Sequence, residues 1–213
     1  LAGALGIAAQ ASSVRTSLPI LSSIRIEAGD SGLTLLGCDG EMWARSSCPA
    51  NVEDAGVVCV SQKLLSDIVN ALPDGEVDMS HEGTQLYLRH GHSEWKMMAY
   101  PGDDFPEIPA TQPASHLNLS AGQLRRAINA VAYAVSDDTS RPVLTGVLFT
   151  YDGEVLTMVA TDTHRMAVNK IVKSGIGSSV TAIVPEKALR IIRSLDLQDD
   201  EEVSLGFDEA RVS

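Results

Sequence analysis

The 213-residue sequence contains few aromatic residues and few cysteines, and both shortages limit what the protein can be. Aromatic residues make up 4% of the chain, so the hydrophobic cores must be built mainly from leucine, isoleucine, valine and alanine. The three cysteines are odd in number and lack CxxC spacing, which indicates neither a disulfide framework nor a zinc site. A reducing cytoplasm fits this cysteine usage best.

Motifs that carry chemistry are also missing. The sequence has no Walker or Rossmann glycine pattern and no GxSxG nucleophile motif. Asp162 and His164 with nearby serines suggest a hydrolase, and Asp162-Thr163-His164 resembles half of a metal site, but no second cluster supplies the other ligands. We therefore expect no catalytic residue, metal or cofactor, and we expect His164 to be a partly buried, hydrogen-bonded residue at the edge of a groove.

Long apolar runs are absent, and positive charge is scarce. No run approaches the roughly 20 apolar residues of a membrane span, so no membrane association is expected. The 16 lysines and arginines against 28 acidic residues give a net charge of −12, which argues against a nucleic-acid partner because phosphate binding depends on basic side chains.

The basic residues are nevertheless concentrated in four predicted helical segments. Together with the residue that follows the last of them, these segments hold six basic and three acidic residues, a net +3 that leaves −15 for the remainder: Lys63, Arg125, Arg126, Lys187, Arg190 and Arg193 against Asp67, Glu186 and Asp196. The three basic residues of the last segment recur every three positions along one side of a helix. Solvated charge on surface helices is the more common reason for such a pattern, and a surface that faces phosphates is the alternative.

The chain repeats itself at an offset of 123 residues. Residues 1–44 align without a gap on residues 124–167, with thirteen identities in forty-four positions. A second match, at an offset of 124, aligns Lys63 with Lys187. The repeat predicts two modules of about 100 residues, each large enough for its own core.

Each module has the same predicted order of helix, hairpin, further strand, helix and antiparallel meander. In the second module, strands at 143–151 and 155–159 flank Asp152-Gly153, a dipeptide suited to a tight turn. The corresponding strands of the first module are predicted at 18–28 and 32–38. This order predicts an α+β fold with antiparallel sheets and two helices in each module.

Helix-capping residues and prolines mark the predicted boundaries. Ser61 and Ser120 are predicted N-caps, of helices that end near Leu72 and Val135. Another helix is predicted at residues 186–195, directly after Pro185. Because residues 101–113 contain four prolines, we place a linker there and assign the modules to residues 1–113 and 114–213.

Five segments together resemble the bacterial sliding clamp, the beta subunit of DNA polymerase III. They are SLPILSSIRI at 17–26, LTLLGCDGEM at 33–42, RPVLTGVLF at 141–149, VATDTHRMAV at 159–168 and AIVPEKALRIIRSL at 182–195. RPxLxG followed about twenty residues later by VATDxHR is a specific pairing. Family members have three such domains, so the resemblance implies a nearly complete first domain, most of a second, incomplete at its C-terminal end, and no third.

The resemblance implies a DNA-clamp fold and a non-catalytic processivity factor. In the full-length protein it implies a ring-shaped homodimer that encircles duplex DNA, with helices around the hole, in the bacterial cytoplasm at the nucleoid. Its implied partners are duplex DNA without sequence preference, the polymerase III alpha subunit, the clamp loader and other clamp-binding polymerases or repair proteins. The alternative is an enzyme or scaffold that uses a duplicated clamp-like fold, because fold alone does not decide function.

The resemblance also assigns residues to two sites. The DNA contacts of the family align with Arg15, Lys63, Arg141, Pro142, Val143 and Lys187. Around Asp138 and at Pro142 and Val143, the family often contacts DNA through polar or aromatic side chains that this sequence lacks.

The second site is a groove that receives short hydrophobic motifs of polymerases and the clamp loader. It aligns with Leu144, Thr161, Thr163, His164, Arg165 and Met166. Family members often have glycine or serine at the position of Thr163 and leucine at that of Met166. We expect Leu144 and Met166 to form an apolar floor, with the polar residues at its edge.

Overall fold

The structure, a computed structural model, describes residues 1–13, 18–110, 113, 115–177, 179–208 and 211–213, without the side chains of residues 176 and 177. The chain divides into two compact units, Leu1–Ile108 and Pro109–Ser213. The division falls within the proline-rich stretch at residues 101–113. Each unit has its own buried hydrophobic core.

The described part of the first unit contains two helices and seven strands. They are α1 (Ala2–Ala11), β1 (Ser23–Gly29), β2 (Gly32–Cys38), β3 (Trp43–Cys48), β4 (Gly56–Ser61), α2 (Gln62–Ala71), β5 (Asp78–Glu82), β6 (Gln85–His90) and β7 (Ser93–Pro101). The strands form one antiparallel sheet in the order β3-β2-β1-β4-β7-β6-β5.

Helix α1 lies unusually close to the sheet of the first unit. Leu5 and Ala8 are buried against the core. A β-carbon placed on Gly37, in β2, would lie 1.9 Å from the carbonyl oxygen of Ala8. Only glycine permits this approach of helix to strand, so Gly37 fixes how tightly α1 packs.

The described part of the second unit contains two helices and seven strands. They are β8 (Ser115–Ser120), α3 (Ala121–Ala132), β9 (Gly146–Tyr151), β10 (Val155–Thr161), β11 (Met166–Val172), β12 (Ile176–Gly177), β13 (Val180–Pro185), α4 (Glu186–Ser194) and β14 (Glu202–Phe207). They form a four-stranded sheet in the order β11-β10-β9-β13 and a three-stranded sheet in the order β12-β8-β14.

The two units repeat one topology. The order β3-β2-β1-β4 in the first unit has the same chain connections as β11-β10-β9-β13 in the second, and a helix follows the last strand of each set. The predicted α+β class, with antiparallel sheets and two helices in each module, is confirmed.

Local sequence accounts for the predicted helix starts. Ser61 caps α2 by accepting a hydrogen bond from the Leu64 N–H at 3.5 Å. Ser120 and Gln123 form a capping box at α3, in which each side chain accepts a hydrogen bond from the backbone of the other.

Three predicted boundaries were wrong. Residues 19–22 and 142–144 form short 3-10 helices, so β1 and β9 begin at Ser23 and Gly146. Proline opens both segments, and its fixed φ and missing N–H favour a turn over a strand ladder. Helix α3 ends at Ala132 because the next N–H groups, of Ala134 and Val135, bond three residues back instead of four.

Candidate functional site

Asp162 holds the turn that joins β10 to β11. Its Oδ1 accepts hydrogen bonds from the backbone N–H groups of His164 at 3.0 Å and Arg165 at 2.9 Å, and its Oδ2 accepts one from Arg165 Nε at 2.9 Å. The backbone hydrogen bond from Arg165 is the main cause that lowers the pKa of the Asp162 carboxyl below its ordinary value. The carboxylate is therefore ionised at neutral pH.

Thr163, at the tip of this turn, has a φ of 77°. A β-branched residue is strained there because its β-carbon crowds the backbone. Thr161 supports the turn from below: its Oγ1 donates to the Arg165 carbonyl at 2.8 Å and accepts from the Thr163 N–H at 3.2 Å. Residues 161–165, TDTHR, thus form a hydrogen-bonded turn in which Thr163 and His164 are exposed.

A cavity of about 350 Å³ opens beside the turn. Its lining residues come from the turn and from the segment before β9: Ser136, Asp138, Arg141, Leu144, Asp162, Thr163 and His164. Three predicted groove residues, Leu144, Thr163 and His164, are therefore brought together.

Arg141, which the family resemblance assigned to DNA contact, lines the same cavity. Its Nε lies 3.9 Å from Asp138 Oδ2. Hydrogen bonds from Ser140 lower the pKa of Asp138. The cavity thus has one half-buried leucine, Leu144, within a largely charged and polar wall.

The other three predicted groove residues do not line this cavity. Met166 begins β11 and is 68% exposed, and Thr161 is half-buried at the end of β10. The Arg165 guanidinium lies 5.6 Å from the ring centre of Tyr133, a cation–π contact. The two residues that were expected to form an apolar floor together are therefore separated: Leu144 lines the cavity, and Met166 lies outside it.

The prediction that His164 is partly buried was wrong. Its side chain is exposed. The physical reason is the turn itself, because the hydrogen bonds that hold residue 164 use its backbone N–H and leave the imidazole at the tip. Sequence reasoning also missed Ser136 and Asp138 as cavity residues, since only the folded chain brings this segment to the β10–β11 turn.

An apolar row crosses the outer face of the four-stranded sheet. Val168, Val159, Leu148 and Ile183 are cross-strand neighbours on β11, β10, β9 and β13. Val168 is 50% exposed and Ile183 46%, and the two between them are half-buried. Met166 lies on the same face of β11 as Val168, so its exposed side chain extends this apolar row.

The predicted DNA-contact residues that the structure describes lie at the starts of two helices and in the segment before β9. Arg15 lies outside the described residues. Lys63 and Lys187 are each the second residue of a helix, α2 and α4, and Lys63 is exposed while Lys187 is half-buried. Pro142 and Val143 are exposed in the 3-10 turn before β9.

Several helix-borne arginines are paired with carboxylates. Glu186 binds both Arg190 and Arg193, the latter at 3.2 Å, and Arg193 also reaches the side chain of Asn129 on α3 at 3.4 Å. Asp199 accepts from Arg125 at 2.7 Å and lies 3.8 Å from Arg126. The predicted basic side of α4 is therefore partly neutralised by the protein itself.

The described residues contain neither a cluster of metal-binding side chains nor a membrane-spanning helix. In that part of the chain, no three histidine, cysteine or acidic side chains cluster closely enough to hold a metal ion. None of the helices described is long and apolar enough to cross a membrane.

Comparison with known proteins gives a consistent match along the chain. Residues 1–109 match the N-terminal domain of the DNA polymerase III beta subunit, and residues 118–213 match its central domain. The beta sliding clamp of Staphylococcus aureus is 31% identical over 207 residues, covering 93% of this chain and 55% of that protein. The beta sliding clamp homolog GriR of Streptomyces muensis is 34% identical over 191 residues, which cover 89% of this chain and 51% of that protein.

Solved structures agree with these matches. The DNA polymerase sliding clamp of Bacillus subtilis superposes with a TM-score of 0.92 at 26% identity, over 99% of this chain and 58% of that one. A sliding clamp of Pseudomonas aeruginosa bound to griselimycin superposes with a TM-score of 0.86 at 27% identity, over 97% of this chain and 57% of that one. The chain spans about half the length of the relatives it matches. On these matches, the chain belongs to the DNA polymerase III beta subunit family, the family that its sequence motifs resemble.

Proposed function

We propose that the protein is a sliding clamp, a processivity factor that encircles duplex DNA and tethers the replicative polymerase. The observation that carries this proposal is the repeated unit, in which the same four-strand order is followed by a helix with a lysine at its second position. A ring of repeated domains places equivalent helices around one hole. Lys63 and Lys187 then contact phosphates at equivalent places, together with Arg15 and the segment Arg141, Pro142 and Val143.

The site that binds the polymerase in this proposal is the groove beside the β10–β11 turn. Leu144 in the cavity and exposed Met166 each offer an apolar contact, while Thr161, Thr163, His164 and Arg165 offer hydrogen-bonding groups. A short peptide anchored by one or two apolar side chains fits this combination. The griselimycin-bound clamp of Pseudomonas aeruginosa supports the idea that clamps of this family carry a ligand site.

In this proposal the protein does no chemistry. The intact protein is a homodimer with a third domain in each subunit. Its partners are duplex DNA without sequence preference, the polymerase III alpha subunit, the clamp loader and other clamp-binding polymerases or repair proteins. It acts in the bacterial cytoplasm, at the nucleoid.

The test is topological. The intact protein is loaded on nicked circular plasmid by its clamp loader, and the plasmid is then cut once with a restriction enzyme. We expect retention on the circle and release from the linear product, because a ring is held by topology and not by affinity. Equal retention on both forms would show that the protein binds DNA by surface contact alone.

A further inference from the structure

The Arg165 side chain of the second unit is held on two sides by the protein. Its Nε donates to Asp162 Oδ2 at 2.9 Å, and its guanidinium carbon lies over the ring of Tyr133, 5.6 Å from the ring centre. One contact is a charged hydrogen bond, and the other is the attraction of a cation to the face of an aromatic ring. Together they restrict a long side chain that would otherwise sample many rotamers.

The backbone segments that carry the ring and the guanidinium are fixed as well. The backbone N–H of Arg165 donates to Asp162 Oδ1 at 2.9 Å, within the β10–β11 turn. Tyr133 directly follows α3, and its neighbours Val131 and Ala134 are buried in the core of the unit. The two groups are therefore presented to each other by anchored parts of the fold.

The first unit forms the same turn without this pair of side chains. At the offset of 123 residues, Gln10 takes the place of Tyr133. Met42 takes the place of Arg165. The aspartate of that turn nevertheless accepts two backbone N–H groups, as its counterpart in the second unit does. The repeated fold therefore requires neither an arginine nor an aromatic ring at these positions, and their contact adds something that the turn itself does not need.

Arg165 lies beside the proposed peptide groove. It belongs to the turn that lines the cavity with Thr163 and His164, and it directly precedes Met166. The hydrogen bond to Asp162 uses one of the five N–H groups of the guanidinium, and Nη1 and Nη2 carry the other four. A guanidinium that is already fixed can bind an acceptor oxygen of a peptide with a smaller loss of side-chain freedom.

We propose that Tyr133 is a positioning residue for peptide binding and that it acts through Arg165. The ring of Tyr133 and the carboxylate of Asp162 hold the guanidinium in place, and the guanidinium donates to a carbonyl or carboxylate oxygen of the bound peptide. Tyr133 acts without touching the peptide. This inference rests on the proposed function in one respect, that the groove of the second unit is a peptide site.

The test is a double-mutant cycle in the intact protein, with the residues of the first unit as replacements. Tyr133→Gln, Arg165→Met and the double variant are titrated by calorimetry with a synthetic peptide from the C-terminal tail of the polymerase III alpha subunit. We expect Tyr133→Gln to weaken binding by roughly three- to tenfold, through the loss of a cation–π contact and of one immobilised side chain. In the Arg165→Met background the same change should have no effect, because no guanidinium remains to be positioned.

Two controls make the result specific. Tyr133→Phe keeps the ring without the hydroxyl group, so it should bind the peptide as the parent protein does. Tyr100→Gln changes a tyrosine of the first unit that is 49% exposed, and it should leave the affinity unchanged. Circular dichroism shows whether each variant is folded, and Tyr133→Leu replaces Tyr133→Gln in the cycle should the latter unfold.

Three results would overturn the proposal while the groove stands. They are an unchanged affinity in folded Tyr133→Gln, a loss of the same size in the Arg165→Met background, and a Tyr133→Phe variant that binds as weakly as Tyr133→Gln. A parent protein that does not bind the peptide would instead contradict the proposed groove. The two failures are distinguishable, because the second is seen with the parent protein before any variant is titrated.

Discussion

Thr163 of the second unit occupies the turn position that Gly40 occupies in the first. Their φ angles are 77° and 98°, and each follows an aspartate whose Oδ1 accepts two backbone N–H groups. In the first unit Asp39 accepts from Glu41 at 3.1 Å and from Met42 at 2.9 Å. The two copies therefore share one turn geometry, and the second imposes it on a β-branched residue.

Thr163→Gly should stabilise the second unit. Relief of the strained backbone is worth on the order of 1–3 kcal/mol, and the greater chain entropy of glycine cancels about 1 kcal/mol of it. We expect a higher urea midpoint with an unchanged slope. The control is Thr181→Gly on the exposed face of β13, which should destabilise; an equal loss of stability from both changes would contradict the strain argument.

Asp162→Asn should make the stability of the turn less dependent on pH. A carboxyl whose folded pKa is lowered contributes stability above its ordinary pKa of about 3.8 and loses it as the pH falls through the folded value. Asparagine keeps an acceptor oxygen but lacks the charge. The variant should therefore be less stable than the parent at pH 7, and the gap should narrow below about pH 4, as followed by thermal unfolding at several pH values.

Exposed Asp137 provides the control for this experiment. Asp137→Asn makes the same chemical change outside the turn and should shift the unfolding curve little. A constant gap between Asp162→Asn and the parent from pH 7 to pH 3 would mean that the charge of Asp162 does not support the turn.

Met166→Asp should weaken peptide binding strongly without unfolding the protein. Met166 is 68% exposed, so the carboxylate is solvated in the free protein. A bound apolar peptide would bury it unpaired, at a cost of several kcal/mol. At about 1.4 kcal/mol for each factor of ten, affinity for a polymerase-tail peptide should fall at least roughly a hundredfold by calorimetry.

Val172→Asp is the matched control. Val172 is 81% exposed at the other end of β11, so its replacement should leave both the circular dichroism spectrum and the peptide affinity unchanged. Unaltered affinity in a folded Met166→Asp variant would show that the groove lies elsewhere.

Lys63→Ala and Lys187→Ala should each weaken DNA-stimulated loading and its dependence on salt. One lost phosphate contact lowers the slope of log affinity against log salt by about 1. The triple variant with Arg15→Ala should show the largest change. Lys96→Ala and Lys170→Ala, on strands β7 and β11, serve as controls of equal charge, and a slope that falls equally with them would count against the assignment.

The repeat, the order of helices and strands along the chain, and the starts of α2, α3 and α4 were predictable because short segments encode them. Capping at Ser61 and Ser120 depends on residues within three positions along the chain. Because of the duplication, each strand pattern of the repeated segment occurs twice in the sequence. The 3-10 turns at Pro19 and Pro142 were misjudged because the β-rich residues around the prolines suggested longer strands.

What the sequence could not predict depends on contacts between distant residues. Arg125 meets Asp199 only after folding, so a helix that looks basic in the sequence is partly neutral in the structure. Phe105 lies in a proline-rich stretch that was interpreted as a linker, and its burial became visible only with the strands in place. The six groove residues and the DNA-contact residues stay predictions.

Glu186 shares its carboxylate between two arginines of α4, Arg190 and Arg193. These ion pairs occupy part of the donor capacity of both guanidinium groups, so fewer N–H groups remain for a phosphate. Under the proposed function, we expect this arrangement to weaken the individual phosphate contacts of α4 and so to ease movement along DNA. We therefore expect Glu186 to influence mobility along DNA as well as the stability of α4.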